Sequence, residues 1–406
     1  MTVQIRSAAC AEARDPLTNS MRLRVDCPVC RQQDLLHSVS FDAIPFSCNS
    51  LHPDANSAVA APTGQFVLAF CRSCEHFFNA AFEDGRIGYT QNYENSLHFS
   101  PRFVAFVEDL ADRLSAAYAL DGKLALDIGC GKGDFLKRLC STSGARGIGF
   151  DRSFEDNRGE NVAGVEFIND WFGDAYPDVR PDFVSCRHVL EHIANPIAFL
   201  QGLRSHPGVG PSTVFYIEVP NALYTLRDMG IWDLIYEHVS YFTPHSLRVA
   251  METAGFEVLD QGASYGDQYL FIEAKPSEPR MMAPYSKSEK IDALVHRFDR
   301  TYCEKVAWWR DYLSNRDPER TVVWGAGSKG ITFVNIVPEG ARIGALVDVN
   351  PYKQGRFAPR TGTPVVGPES LRGKPLQSIV VMNPLYRDEV AQAACKLGLS
   401  AEIIVA

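Results

Sequence analysis

The chain has 406 residues, room for two or three domains, and 46% of them are hydrophobic, enough for sizeable cores. A formal net charge of -9 argues against nucleic acid as a partner, because phosphate binding needs a basic surface. No apolar run approaches the roughly 18 residues that span a bilayer, and eleven cysteines, an odd number over a long chain, suit metal ligands and buried thiols better than disulfides. The N-terminal segment lacks the apolar core of a signal peptide, so a cytoplasmic location is expected.

Residues 1–24 read as a loose leader and residues 25–90 as a small zinc-binding domain. Cys27-Pro-Val-Cys30 and Cys71-Arg-Ser-Cys74 are two pairs of identical spacing. Each places two thiolates on one edge of a tetrahedron, so together they complete a four-thiolate zinc site. With every position filled by protein, that zinc is structural and compensates for a small core. The long insert between the pairs, with Cys48 and His52, is expected to loop out. A redox role for either pair fits less well, since neither sits at a strand-to-helix turn.

Residues 91–280 alternate strands and helices, the mark of a parallel sheet covered by helices. A helix over Pro101–Ala119 leads in. The strand KLALDIG, the helix DFLKRLC, the strands RGIGFD, VEFIN and FVSC, the helix PIAFLQGLR and the strand TVFYIEV follow. The helix SLRVAMETAGF and an antiparallel pair, FEVLDQG and QYLFIEA, close the unit. Between the first strand and its helix lies Asp127-Ile-Gly129-Cys-Gly131-Lys-Gly133. Glycines there permit a tight turn and close backbone approach to a ligand. Asp134 stands where a dinucleotide fingerprint needs glycine, so the pattern is D-x-G-x-G-x-G. That pattern resembles the first motif of class I methyltransferases. The resemblance places Asp127 near the cationic methionine end of S-adenosyl-L-methionine. Asp151, ending the next strand, stands where acids accept ribose hydroxyls, and Asp170 after the third strand would face the adenine amino group.

Three loops at the carboxyl edge of this sheet carry histidines and carboxylates: His188-Val-Leu-Glu191-His192, Glu218-Val-Pro220-Asn221, and Tyr236-Glu237-His238 running on to Tyr241 and Phe242. Ligands of open parallel sheets bind on that edge, and histidine suits proton transfer near neutral pH. Glu237 and His238 are the candidate catalytic pair and His192 a second candidate. Asn221 and Tyr241 are candidate substrate contacts.

Residues 281–315 read as a linker and a polar helix with Trp308 and Trp309. Residues 316–406 form a Rossmann-like α/β domain in which Gly325-Ala-Gly327-Ser-Lys-Gly330 fits G-x-G-x-x-G and Asp348 ends the next strand. Alone, this suggests NAD. A diphosphate held by the loop and the helix N-terminus is the preferred reading, with Lys329 adding charge and Asn350, Pro351, Lys353 and Asn383 as neighbours.

CPVC, CRSC, DIGCGKG, YEHVSYF, WGAGSKG and DVNPYKQGRFAP, in this order, resemble the sugar C-methyltransferases that act on nucleotide-linked 4-keto-deoxysugars, over about residue 25 to the end. The resemblance implies that a base removes the proton beside the ketone and that the enolate carbon takes the methyl group. His238 stands at the family's proposed base and His192 at another active-site histidine. Tyr93 resembles a substrate-contacting tyrosine. Ile235 replaces a tyrosine that many relatives carry two residues before the Glu-His pair, and Trp324 begins a motif usually begun by tyrosine. The enolate stabiliser and the sugar therefore stay open. An O- or N-methyltransferase for another polar metabolite, an NAD-dependent oxidoreductase and a catalytically dead zinc-bearing interaction protein are the alternatives. The expected partner is a small molecule, with neither nucleic acid nor membrane.

Overall fold

The computed structural model describes residues 5–6, 23–88, 92–155, 161–279 and 289–406. Most of the expected leader, residue 280 and residues 281–288 of the expected linker lie outside the described residues.

The N-terminal unit is an antiparallel five-stranded sheet in the order Ile5–Arg6, Leu35–Pro45, Thr63–Cys71, Phe77–Asn79, Ser240–Tyr241. Each Cys-x-x-Cys turn closes with a backbone hydrogen bond, Arg31 N–H to Cys27 O at 3.0 Å and Glu75 N–H to Cys71 O at 2.9 Å. Arg31 and Glu75 both adopt positive φ, 62° and 58°, so the two knuckles turn alike. The insert between them does not loop out. It forms the two long strands of the sheet, because Val39, Phe41, Phe66, Leu68 and Phe70 are inward-facing and fully or nearly fully buried. The fifth strand comes from the central unit: Tyr241 pairs with Phe77 and Ser240 with Phe78.

The central sheet has seven strands in the order Phe256–Ser264, Tyr269–Pro276, Val214–Pro220, Phe183–Arg187, Leu124–Ile128, Arg146–Phe150, Val165–Ile168. Within it only Tyr269–Pro276 runs against its neighbours. Helix Pro244–Ala254 starts on a Thr243–Ser246 capping box and stops at Gly255, whose φ of 91° ends it. The C-terminal sheet is wholly parallel: Val365–Val366, Ala345–Val347, Thr321–Trp324, Ser378–Val381, Glu402–Val405. No helix among the described residues is long and apolar enough to cross a membrane.

The helix read as polar, Glu289–Ser314, carries a full apolar stripe: Val295, Phe298, Tyr302, Val306, Trp309 and Leu313 are all buried. Their spacing of three and four residues keeps them on one face. That face joins the N-terminal sheet to the C-terminal unit, with Tyr302 against Phe41 (5.9 Å between ring centroids) and Trp309 against Phe333 (5.0 Å). Trp309→Ala is expected to cost about 3–5 kcal/mol of stability, as large aromatic truncations do. Trp308→Ala, at an exposed position, should be near neutral. Denaturant midpoints of the two variants check this, and equal shifts would contradict it.

Candidate active site at the junction of three domains

The carboxyl edge of the central sheet faces the C-terminal unit across a cavity of about 360 Å³. All three units line it: Asn49 from the first, Tyr93 where the first two meet, Asp127, Gly131, His188 and His192 from the second, Gly325, Lys329 and Asn350 from the third. Polar contacts stitch its rim. Asn350 Nδ2 donates to Glu94 Oε1 at 2.9 Å, and Gln268 and Asn383 exchange two amide hydrogen bonds of 2.9 Å. Ser100 donates to Glu389 at 2.9 Å, and Asn49 to Ser328 at 3.2 Å.

The glycine loop suits a close-approaching ligand. Gly129 has φ of 69°, and a Cβ there would lie 2.2 Å from Val189 Cγ2. Gly131 has φ of 57°, and a Cβ there would meet only Asn95 Oδ1 at 3.8 Å, so this backbone is open to the cavity. Asp127 is buried and accepts a 2.6 Å hydrogen bond from Ser185. Burial pushes its carboxyl up to about 7, a cost that a cationic ligand group would relieve. The adjoining helix, Asp134–Ser143, turns its N-terminus toward the same loop.

Asp151 does not line the cavity. Its carboxylate accepts from Gly131 N–H at 2.8 Å and Ser153 N–H at 2.6 Å, so it holds the glycine loop in shape while each oxygen keeps a second lone pair. Gly133 faces the Phe167 ring instead of the cavity. Asp170 sits further out, accepting from Trp171 N–H at 2.8 Å and Tyr176 hydroxyl at 2.9 Å.

His192 and His238 line the cavity together, with ring centroids 4.9 Å apart. His192 Nδ1 lies 2.9 Å from the Glu237 carbonyl. Burial first, then the electrostatic influence of the neighbouring His192, His188 and Lys329, keeps His238 well below the usual histidine range. The Glu237 carboxylate does not serve His238. It is fully buried and turned the other way, accepting from Cys48 N–H at 2.9 Å and Ser47 hydroxyl at 3.5 Å. Burial pushes it up, and the Tyr93 hydroxyl also bonds to it. Tyr93 thus lines the cavity while bridging to the floor beneath it.

Two expected contacts fall elsewhere for clear reasons. The Asn221 side chain caps helix Ala222–Arg227, accepting from Leu223 N–H at 3.0 Å, and donates to Asp267 O at 2.8 Å. The Tyr241 hydroxyl is engaged by the Ile235 backbone at 3.0 and 3.1 Å, and its strand joins the N-terminal sheet. Lys329 does line the cavity, but its ammonium is bound by both carboxylate oxygens of Asp233. The second cation at that end is Lys353, buried 3.3 Å from Ala326 O and 3.8 Å from Asp348.

The site also holds a largely buried charge network in which His188, Glu191 and Glu218 are joined by Arg187, a residue the sequence motifs did not single out. Arg187 grips Glu218 at 2.9 and 2.7 Å and lies over the Phe135 ring. His188 stands between Glu191 (3.4 Å) and Glu218 (3.3 Å). Burial opposes its charge, yet the two carboxylates raise it to about 9. Arg187 and His188 in turn hold Glu218 down at about 2 against the upward push of burial. His188 has φ of 55°, a left-handed conformation costly for a non-glycine residue. No sequence signal marks that strain. The only hint was the density of charged residues in RHVLEH.

The cavity joins a glycine-rich loop, on a seven-stranded sheet with one reversed strand, to the paired histidines His192 and His238. Residues 98–261 match a family described as a methyltransferase domain, and residues 302–403 match the C-methyltransferase C-terminal domain. The chain is an S-adenosylmethionine-dependent methyltransferase. It is 24% identical over 376 residues, 86% of this chain and 87% of the relative, to the C-methyltransferase NovU of Streptomyces niveus. Its C-terminal match and this relative are both C-methyltransferases, so the chain is similar to proteins of that activity. Among solved structures, the plantazolicin methyltransferase BpumL in complex with SAH is 16% identical, with a TM-score of 0.34, covering 44% of this chain and 84% of that one. A complex of the Haloferax volcanii Trm112 methyltransferase activator with a putative methyltransferase gives 17%, 0.31, 45% and 98%.

Proposed function

We propose that this C-methyltransferase acts on the carbon beside a ketone in a nucleotide-linked deoxysugar, with His238 as the base. The observation that carries the reading is that a half-buried imidazole, held well below the usual histidine range, lines the same cavity as Asp127 and Gly131. S-adenosylmethionine supplies an electrophilic methyl group, and a carbon acceptor needs a base to become nucleophilic. Asp127, Gly129 and Gly131 take the methionine end, where a cation relieves the buried carboxyl. Asp151 takes the ribose with its remaining lone pairs, and Asp170, one strand further along the edge, is left for the adenine amino group. His238 accepts the proton. His192 is oriented by the Glu237 carbonyl, and Tyr93 contacts the sugar. Glu237 positions both by anchoring the loop to Cys48 and Tyr93.

The Gly325–Gly330 loop and the N-terminus of helix Ser328–Ile336 receive the diphosphate. Lys353 is paired with Asp348 at 3.8 Å, more loosely than Lys329 with Asp233, and so is the freer of the two to assist. Zinc fills the four-cysteine site. All four sulfurs lie within 4.8 Å of one another and two pairs are at 3.5 Å. Tetrahedral zinc–sulfur bonds of about 2.3 Å require sulfurs roughly 3.8 Å apart.

Isothermal titration with S-adenosylhomocysteine and, separately, NAD tests the cofactor assignment, and a panel of 4-keto nucleotide-sugars tests the acceptor. Binding of NAD alone would move the chemistry to the C-terminal domain. Asp151→Ala is expected to weaken S-adenosylhomocysteine binding by about tenfold or more, the worth of a charge-assisted hydrogen bond and a loosened loop. An unchanged affinity would refute the ribose contact.

A further inference from the structure

Glu191 is 1% exposed and neither of its carboxylate oxygens has a hydrogen-bond partner. The one cation near it, His188 Nδ1 at 3.4 Å, is not aligned for a hydrogen bond. Buried polar atoms left in this way call for an explanation, an ion among them. The His238 Nδ1 is likewise buried with no hydrogen-bond partner. Both residues converge with His192, and one donor atom from each of the three lies within 4.8 Å of the other two. The 2.9 Å contact between His192 Nδ1 and Glu237 O orients that ring. Metal-bound histidines are oriented by such an outer contact.

We propose that Glu191, His192 and His238 form a second divalent-metal site, distinct from the four cysteines, whose occupation and methyl transfer exclude each other. Two imidazoles and one carboxylate favour late first-row ions such as zinc over magnesium or calcium, which prefer oxygen donors. Three protein ligands leave a coordination position open toward the cavity. The metal takes a lone pair of His238, the residue assigned the proton, so a loaded site cannot start the reaction. That exclusion rests on the base role proposed above; the binding site itself does not.

The test uses the full chain, saturated with zinc and freed of loose metal by gel filtration, with bound zinc measured by mass spectrometry. Two equivalents are expected in the wild type and one each in Glu191→Gln and His192→Gln. The equivalent that remains in the variants reports that they are folded. Cobalt substitution separates the two sites: a thiolate charge-transfer band persists in His192→Gln, while the weaker visible bands of a nitrogen–oxygen site disappear. Equal zinc content and equal cobalt spectra in wild type and variants would overturn the site and leave the base role standing. A second equivalent that binds but leaves methylation of a 4-keto nucleotide-sugar unaltered would overturn the exclusion and count against His238 as the base.

Discussion

His238→Ala is expected to lower kcat by a hundredfold or more, with S-adenosylhomocysteine affinity unchanged within about twofold. Removing a positioned general base typically costs 10²–10⁴-fold, roughly 3–5 kcal/mol of barrier. The expectation rests on the state of the imidazole. Burial, and after it the electrostatic influence of His192, His188 and Lys329, keeps it well below the usual histidine range, so a lone pair is available near neutral pH. The alanine variant should stay folded, because the loop is anchored by other atoms: the Glu237 carboxylate on Cys48 N–H, and Tyr241 paired with Phe77. Single-turnover assays with a 4-keto nucleotide-sugar, beside titration with S-adenosylhomocysteine, separate a chemical defect from a binding defect. Turnover within threefold of wild type would remove His238 from the base role. His192 would then be the next candidate, since its Nδ1 is already fixed by the Glu237 carbonyl.

Local chemistry made much of this arrangement legible in advance. The two Cys-x-x-Cys turns, the strand–glycine loop–helix unit and the C-terminal glycine loop are short-range features, and the chain order of motifs pointed to the family. The parts that were not legible depend on contacts between distant segments. Nothing in YEHVSYF says that Ser240–Tyr241 completes the sheet of the cysteine-bearing unit, which is why Tyr241 is spent on the Ile235 backbone. Nothing near Glu237 says that its carboxylate faces Cys48, 189 positions away in sequence. The pairing of neighbours in sequence suggested a Glu–His couple, whereas the fold directs the acid to one side and gives its carbonyl to His192. The insert before Cys71 ends in a continuous apolar run, Phe66–Phe70, of strand length, so its hairpin was readable and was obscured by the usual short spacing of zinc knuckles. Lys329 illustrates the same limit for charge. A lysine in a glycine-rich phosphate loop suggests an anion, but Asp233, from a different domain, already holds it.

Cys71→Ser should remove one equivalent of zinc and uncouple the N-terminal sheet from the rest of the protein. Cys71 is the last residue of strand Thr63–Cys71, pairs with Leu35 and takes its place beside Cys30 at 3.5 Å. A structural zinc site contributes about 10–16 kcal/mol of apparent binding free energy, which in a small domain is folding free energy. One serine in place of a thiolate leaves three ligands, two of them buried, whose sulfurs repel once deprotonated. The loss does not stop at the metal. Strand Phe77–Asn79 begins three residues after Cys74 and holds Ser240–Tyr241, so an unfolded knuckle releases the segment that immediately follows His238. The expected result is a separate early melting transition and at least a tenfold fall in turnover, with S-adenosylhomocysteine affinity less affected because Asp127 and Gly131 lie on the central sheet. Cys395→Ser, at an exposed cysteine in the C-terminal unit, is the control and should change neither. Calorimetry and metal analysis decide the matter. A Cys71→Ser protein that keeps its full zinc content and melts in one transition with the wild type would mean that the four sulfurs converge without a metal.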